Sequence, residues 1–295
     1  MSVIALGMFD GVHRGHQKVL ARAVSRAKQL KVPAIAITFS PHPQELICPE
    51  RGLKLLTTLS EREALLAEVG IDRVVVIKFD QRLQKLTAEE FIKQYLVARL
   101  GVSEVFVGYD YAFGASRTGD IANLKKWAKI FGFKLVVVPP VKCGNKPVKS
   151  SVIRELIAAG KFNQAIKLLG HPYQITGKVG RGRGVGKGLG FPTANLQVAK
   201  DKLIPAHGVY AGEVNGEKCA VNIGDQPTFG LNRPAVEVHI LNLKANLRGK
   251  LLQVDLKKRL RAEQQFSDVE KLKSQIRQDL AQIKACQGKV KMSGS

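Results

Sequence analysis

Apolar positions in the first half of this 295-residue chain form short continuous runs, and these alternate with stretches of helical periodicity. Strands that are apolar without alternation are typical of parallel sheets covered by helices on both faces. The pattern therefore predicts an α/β domain. The predicted strands span 3–6, 34–39, 73–77, 105–108 and 135–138, and the predicted helices span 15–30, 60–69, 88–100 and 121–131.

Helix punctuation supports this division. Ser60 followed by Glu63 has the pattern of a capping box, and Gly70 is placed as the glycine that ends the same helix. Ser150 and Ser151 then begin a short helix that ends near residue 160, and a second short helix runs to residue 169.

The sequence changes character after Gly170-His171-Pro172. Short strand candidates with frequent turns follow, and Asn215-Gly216 is a strong hairpin signal. We expect two domains, an α/β domain at 1–170 and a compact antiparallel barrel at 171–295, the barrel closed by a helix over 268–283. The predicted barrel strands span 173–179, 208–214, 219–223, 236–241 and 251–256.

Composition narrows the class of protein. No apolar run approaches the roughly 20 residues of a membrane span, and no leader precedes the first strand, so we expect a cytoplasmic protein. Cys48, Cys143, Cys219 and Cys286 are scattered, which favours reduced thiols over disulfides or a zinc site. The net charge of +23 has no basic tail, so a surface that attracts anionic nucleotides is favoured over specific nucleic-acid binding.

A glycine-rich turn at residues 7–17 links the first strand to the first helix. Glycines permit a tight turn, and a helix N-terminus offers free N–H groups to phosphate. His13 and His16 are three residues apart, which puts both imidazoles on one side of the first helical turn. This indicates a site that handles nucleotide phosphates; half of a metal site and an ordinary glycine turn are the alternatives.

A second glycine-rich stretch, residues 177–190, contains Arg181, Arg183 and Lys187. Backbone amides and cations together suit a phosphate loop, although the P-loop spacing is absent and a flexible basic loop or an RNA-binding arm has the same composition. Thr193 and Asn195 alternate on a strand-like segment, so their oxygens can hold Mg²⁺ from one side.

Glu237 and His239 share one face of a predicted strand. Glu237 can act as a general base that takes the proton of an attacking hydroxyl, whereas a solvent-facing strand glutamate is the alternative.

The chain resembles the bacterial bifunctional riboflavin kinase/FAD synthetases over nearly its whole length. Eight segments in the same order carry the resemblance. They are GMFDGVHRGH (7–16), TFSPHP (38–43), GYDYAFG (108–114), SSVIR (150–154), GLGFPTAN (188–195), GVY (208–210), NIGDQPTF (222–229) and EVH (237–239).

The resemblance implies two Mg²⁺-dependent reactions with ATP, riboflavin to FMN and FMN to FAD. It implies that His13, His16 and Arg154 act in the second reaction, which takes place in the first domain. It further implies ATP and phosphate contacts at Gly7, Phe9, Asp10, Gly11, Gly15, Ser150 and Ser151, and flavin contacts at Phe39, Pro41, His42, Pro43, Asp110 and Phe113.

For the kinase domain the resemblance implies Glu237 as the base and Thr193 and Asn195 as the metal ligands. Gly186, Lys187, Gly188 and Gly190 would contact ATP, and Arg261 and Phe266 the flavin. The expected partners are the small-molecule substrates, with neither a membrane nor a specific nucleic acid; flavoproteins are candidate recipients of the products.

The chain departs from the family pattern at several positions. Lys149 stands where a serine is common, and Lys187 where an arginine is common. Ala112 replaces a frequent basic residue, and Asn242-Leu243 and Leu247-Arg248-Gly249 also differ, near the expected flavin-closing region. The alternatives are one working domain of the two, or a nucleic-acid-binding regulator that uses the basic glycine-rich loop.

Overall fold

The computed structural model describes residues 1–113, 119–180, 185–225, 234–243 and 245–285, apart from the side chains of residues 185 and 187. Two compact units divide the chain, Met1–Ser150 and Ser151–Ser295. Residues 151–169, grouped with the first domain on sequence, fall in the second unit in this division. Gly114, Arg181, Arg183, Cys286 and the segment 226–229 lie outside the described residues.

The first unit contains the predicted parallel sheet. Its strands are β1 (Ser2–Leu6), β2 (Ala34–Ser40), β3 (Arg73–Lys78), β4 (Val102–Gly108) and β5 (Lys134–Val138). The order β3-β2-β1-β4-β5 means that the chain winds first to one side of β1 and then to the other. The carboxyl ends of β1 and β4 therefore form the crevice at which open α/β sheets bind ligands.

Helices cover both faces of this sheet, as predicted. Val3 and Ala5 of β1 pack with the helix over 14–30, whereas Ile4 and Leu6 pack with Ile92 and other residues on the opposite face. The helices are α1 (Arg14–Leu30), α2 (Pro43–Ile47), α3 (Leu59–Glu68), α4 (Gln81–Lys85), α5 (Ala88–Phe91) and α6 (Ile121–Phe131), with a 3₁₀ turn at Pro49–Arg51, a π-helical segment at Ile92–Arg99 and two short strands, β6 (Lys142–Cys143) and β7 (Lys146–Pro147).

One local prediction in this unit is wrong. The capping box is not Ser60 with Glu63: Thr58 caps α3 and pairs with Glu61, whose Oε2 accepts from the Thr58 N–H at 2.9 Å. The helix begins one residue earlier than predicted because Glu61 faces the interior. The helix predicted over 88–100 is α5 followed by the π-helical segment.

The second unit is the predicted antiparallel barrel, whose six strands close in the order 208–214, 217–224, 235–240, 194–198, 173–180 and 251–261. Asn215 and Gly216, with φ of +50° and +84°, form the predicted hairpin turn between paired Val214 and Glu217. Its elements are α7 (Ser150–Ala158), α8 (Phe162–Leu169), β8 (Tyr173–Gly180), α9 (Val185–Gly188), β9 (Ala194–Val198), β10 (Gly208–Val214), β11 (Glu217–Gly224), β12 (Ala235–Ile240), β13 (Leu251–Arg261) and α10 (Val269–Ala285).

The α7–α8 hairpin is fastened to the barrel. Phe162 packs edge-on against Tyr173 and Tyr210, with ring centroids 6.1 and 5.0 Å apart. Arg259 of β13 donates from Nη1 to the Gly160 carbonyl at 3.1 Å. Among the described helices of the chain, none is long and apolar enough to cross a membrane.

Candidate functional sites

The β1–α1 turn, residues 7–13, lies at the carboxyl end of the sheet. Phe9, Gly11 and Val12 have φ angles of +51°, +79° and +35°, which allow a tight turn. His13 is the N-cap of α1, since its Nδ1 accepts from the backbone N–H groups of Gly15 and His16 at 3.1 and 3.3 Å. Because Nδ1 is an acceptor, Nε2 is the ring nitrogen that carries the proton and acts as donor.

The two histidine rings lie side by side, as their spacing predicts. Their centroids are 3.7 Å apart and their planes are inclined by 17°. Phe9 contacts His16 edge-on at 5.4 Å, which fixes the second ring from its other side. A Cβ at Gly15 would lie 3.0 Å from the His13 ring, so the glycine leaves room for the capping imidazole.

A buried network holds this turn to the loop before α3. The Asp10 carboxylate accepts from the Thr57 N–H at 2.9 Å, the Thr57 hydroxyl at 3.0 Å and the Leu56 N–H at 3.1 Å. The Thr57 hydroxyl accepts in turn from the Gly11 N–H at 3.0 Å. Asp10 and Thr57 are 1% and 3% exposed, so these bonds set the shape of the turn away from solvent. The sequence reasoning missed Thr57.

Three further predicted phosphate ligands lie near residue 150. The Ser150 hydroxyl donates to the Asp10 carbonyl at 3.0 Å, which ties this serine to the turn. Ser151, exposed, and Arg154, half-buried, are on α7 in the second unit. Their assignment as phosphate ligands stays a prediction. At the turn itself, the Gly7 N–H donates to the Ile37 carbonyl at 3.2 Å.

An aromatic cavity of about 560 Å³ opens next to the turn in the first unit. Phe39, His42, Pro43 and Phe113 line it, four of the six residues predicted to bind flavin; Pro41 and Asp110 do not. Its lining also includes Met8 of the turn and four residues that sequence reasoning missed: Phe79, Leu86, Phe91 and Tyr111.

Aromatic contacts set the walls of this cavity. Phe91 lies 5.5 Å from Phe113 and 6.0 Å from Phe39 between ring centroids, and Tyr111 stacks on Phe113 at 5.6 Å. His42 caps α2 through Nδ1, which accepts from the Gln44 N–H at 3.1 Å. Burial raises the pKa of Tyr111, so its hydroxyl stays protonated and can donate to a ligand.

In the second unit, one row of paired residues crosses five strands of the barrel. Asn195 of β9 pairs with Glu237 of β12, Glu237 with Asn222 of β11, Asn222 with Val209 of β10, and Val209 with Arg261 of β13. Directly paired residues point to the same face of a sheet. The neighbours Ala194 and Val238 are buried in the barrel, so this row faces outward.

Except for Asn195, the members of this row line a cavity of about 290 Å³. Thr193, Phe266 and residues of α10 also line it, as does His239, whose Nδ1 lies 2.8 Å from the Pro192 carbonyl. Thr193 and Asn195 flank the buried Ala194. Thr193 precedes β9 and lines the cavity whereas Asn195 does not, so their joint role as metal ligands stays a prediction. Asn222 and Val209 are the two members of the row that the sequence reasoning did not assign to the site.

Arg261 is engaged in an ion pair with α10. Its Nη2 lies 2.9 Å from Asp279 Oδ2, and its Nε lies 3.1 Å from both carboxylate oxygens. The guanidinium is also 5.9 Å from the centroid of the Phe266 ring. This contact fastens α10 over the cavity, a role that the sequence did not reveal because Asp279 lies outside the recognised segments.

The glycine-rich stretch approaches the same cavity. Gly186 lines it, and a Cβ there would collide with the Phe191 carbonyl oxygen. The Phe191 N–H donates to the Gly186 carbonyl at 2.7 Å, which closes this loop. Gly190 has φ of +89°, and Gly188 ends the short helix α9. The side chain of Lys187 lies outside the described residues.

The chain thus combines a histidine-bearing turn on a parallel sheet with a barrel that carries a row of Asn and Glu side chains. This combination indicates a nucleotide-dependent transferase with one site in each unit. The sequence model of FAD synthetase matches residues 1–152, and the model of riboflavin kinase matches residues 169–287. The chain belongs to the family of bifunctional riboflavin kinase/FMN adenylyltransferases.

Relatives cover nearly the whole chain. The bifunctional riboflavin kinase/FMN adenylyltransferase of Escherichia coli K12 is 38% identical over 282 residues, 94% of this chain and 90% of that protein. The enzyme of the same name from Pseudomonas fluorescens is 38% identical over 288 residues, with 96% and 92% covered. The crystal structure of a Streptococcus pneumoniae protein described as a macrolide-efflux protein superposes with a TM-score of 0.86 at 29% identity, covering 97% and 94% of the two chains.

The expected family, fold class and pair of activities are therefore confirmed. This chain is a bifunctional enzyme that phosphorylates riboflavin to FMN and adenylylates FMN to FAD, with ATP as the second substrate of each reaction.

Proposed function

We propose that FMN adenylylation takes place at the β1–α1 turn and riboflavin phosphorylation at the outward row of the barrel. The observation that carries this assignment is the presence, in separate units, of one stacked histidine pair at a helix N-terminus and one carboxylate between two amides. Each reaction then has its own constellation, with no catalytic side chain in common.

At the first site the phosphate of FMN attacks the α-phosphorus of ATP and pyrophosphate leaves. His13, through Nε2–H, and His16 donate to the phosphate oxygens, where negative charge must be stabilised in the transition state. Backbone groups at Gly7, Phe9, Gly11 and Gly15 surround the phosphates, and Asp10 shapes the turn from beneath. Ser150, whose hydroxyl donates to the Asp10 carbonyl, completes this site within the first unit.

The aromatic cavity holds the isoalloxazine ring of FMN in this proposal. A cavity of about 560 Å³ is of the size that small-molecule sites have, and its aromatic walls suit a planar ring. Phe39, His42, Pro43 and Phe113 contact the flavin directly. Pro41 and Asp110 do not line the cavity, but each directly precedes a residue that does, and they position these residues at its rim.

At the second site Glu237 takes the proton of the ribityl hydroxyl that attacks the γ-phosphorus of ATP, and ADP leaves as the bond from the γ-phosphorus to the bridging oxygen breaks. The riboflavin ring enters the 290 Å³ cavity beneath α10, beside Phe266 and Arg261. The loop with Gly186, Lys187, Gly188 and Gly190 contacts the ATP phosphates.

Mg²⁺ fits the second site by the chemistry of its donors. Thr193 and Asn195 offer a hydroxyl and an amide oxygen close together in the chain, and Mg²⁺ prefers oxygen ligands that it shares with substrate phosphates. Bound there, the ion would neutralise charge on the transferred phosphoryl group.

The charge and location belong to the same proposal. The net charge of +23 serves to attract ATP and FMN, both anionic, rather than a specific nucleic acid. A cytoplasmic location follows from the supply of ATP inside the cell.

Two variants of the full chain test the assignment. His16→Ala is expected to lower FAD formation from supplied FMN by about 10²- to 10³-fold, the usual cost of losing one transition-state donor, and to leave riboflavin phosphorylation unchanged. Glu237→Ala is expected to abolish phosphorylation and to leave adenylylation of supplied FMN intact. Riboflavin, FMN and FAD are separated over time, and loss of both activities in either folded variant would contradict two independent sites.

A further inference from the structure

Lys149 places a positive charge at the edge of the first site. Its ammonium lies 3.2 Å from Asp110 Oδ2 and 5.7 Å from the centroid of the Tyr109 ring. The hydrogen bond to the Asp110 carboxylate raises the pKa of Lys149, so the side chain stays charged at neutral pH. The two partners are 44% and 52% exposed, and pairs this exposed contribute little to stability.

Both neighbours of Lys149 in sequence hold it next to the β1–α1 turn. On one side, the Ser150 hydroxyl donates to the Asp10 carbonyl at 3.0 Å. On the other side, the Val148 carbonyl lies 3.6 Å from the position of a Cβ at Gly15, the second residue of α1. The backbone of Lys149 is therefore fixed beside the turn that carries the histidines.

The partner of Lys149 leads to the aromatic cavity. Asp110 is followed directly by Tyr111, and Tyr111 and Phe113 line that cavity. Met8, a residue of the turn, lines it as well. Lys149 is thus joined through its side chain to the segment that enters the aromatic cavity, and through its sequence neighbours to the turn that carries the histidine pair.

FMN must reach from the aromatic cavity to the turn that carries the histidine pair. Its apolar ring occupies the cavity, and its phosphate, at the end of the ribityl chain, must reach the ATP bound at the turn. We propose that Lys149 binds the phosphate of FMN in the adenylylation site, exchanging the Asp110 carboxylate for phosphate oxygens. This inference rests on the proposed location of the adenylylation site.

The side chain suits this task. A lysine ammonium is a compact charge with three donors on a flexible stem, so it can move between two anionic partners without the fixed geometry of a guanidinium. Asp110 keeps the ammonium at the site when the phosphate is absent. The ammonium–phosphate contact would be equally strong in the bound substrate and in the transition state. It therefore contributes to FMN binding rather than to the chemical step.

The test is the kinetics of FAD formation from FMN and ATP in the full chain with Lys149→Met. We expect KM for FMN to rise about tenfold, with kcat within about twofold of the wild type, since one charge-assisted contact is lost. Lys149→Arg should restore most of the affinity. Lys142→Met, which removes an exposed lysine of β6 in the same unit, is the matched control and should leave KM unchanged.

Salt provides a second measurement. At about 0.5 M salt the difference in KM between the wild type and Lys149→Met should shrink, because an exposed charge contact is screened. Riboflavin phosphorylation, measured in each preparation, reports that the chain is intact.

Two results would overturn the inference: a KM for FMN in Lys149→Met equal to that of Lys142→Met, or a loss confined to kcat. His16→Ala, assayed in parallel, separates this failure from a failure of the site assignment. If His16→Ala abolishes adenylylation while Lys149→Met has no effect, only the role of Lys149 is wrong. If His16→Ala adenylylates FMN normally, the proposed site itself is wrong.

Discussion

The Thr57 hydroxyl is the link between the β1–α1 turn and the loop before α3, and its removal tests how the turn is held. It donates to Asp10 Oδ1 at 3.0 Å and accepts from the Gly11 N–H at 3.0 Å, at a position only 3% exposed. Thr57→Val keeps the shape of the side chain and removes both bonds. Gly11 and Asp10 each lose one partner in a place that water reaches poorly.

The cost can be worked from these contacts. A buried polar group that loses its partner costs about 1–3 kcal/mol, and two are affected. Asp10 keeps its bonds from the Thr57 and Leu56 N–H groups, which limits the damage to the carboxylate. If about 2 kcal/mol of the loss appears at the reacting geometry of His13 and His16, kcat/KM for FAD formation falls roughly 30-fold.

The assay measures kcat/KM for adenylylation of FMN, with riboflavin phosphorylation in the same preparation as the internal control. Thr57→Ser, which restores the hydroxyl, should recover activity to within about threefold. Thr87→Val is the matched control: its hydroxyl also makes two hydrogen bonds, both to Glu90, but it caps α5 on the surface, away from the turn. Normal FAD formation by folded Thr57→Val, or equal damage in Thr57→Ser, would refute the reasoning.

Two further predictions concern the second unit. The side chains of Asp279 and Arg261 are 7% and 18% exposed, so Asp279→Asn should weaken a largely buried ion pair and loosen α10. We expect KM for riboflavin to rise about tenfold, while FAD formation from supplied FMN is unchanged. Separate assays of the two reactions check this, and an equal loss in both would contradict it. Burial raises the pKa of the Cys219 thiol to about 12, so its reactive thiolate forms only near that pH. Alkylation at pH 8 should therefore modify the exposed Cys143 and spare Cys219 until the protein unfolds. Peptide mapping that shows equal labelling of the two cysteines in the folded protein would contradict this.

Much of the fold follows from local pattern. The five strands of the sheet are continuous apolar runs, and their predicted bounds lie within three residues of those observed. β9 lies in the strand-like segment around Asn195, but the sequence gives it no bounds, because its five residues mix polar and apolar side chains and become a strand by pairing with both β8 and β12. The cap of α3 was misplaced because Thr58 and Ser60 offer similar local patterns, and the choice depends on the burial of Glu61.

The residues of the candidate sites also fall into two groups, those that a short sequence segment predicts and those that it does not. The sequence alone supplies the histidine pair and Glu237 as candidates, because each lies in a short recognisable segment. Thr57 lies 44 residues from His13, and Phe79 and Phe91 lie far in sequence from the segments that supply the rest of the aromatic cavity. These residues reach the sites only through tertiary packing, which short-range spacing does not encode.

The row across the barrel shows why register matters for the second site. Glu237 has an amide, Asn195 or Asn222, as its direct neighbour on each side, and no other carboxylate is paired with it. Amides next to a carboxylate can donate hydrogen bonds without adding charge, so the two asparagines can orient the Glu237 side chain. A shift of one residue in the pairing of β11 with β12 would oppose Glu237 to Val221 or Ile223 and remove one of the two amides. The site therefore depends on the pairing of strands as much as on the identity of its residues.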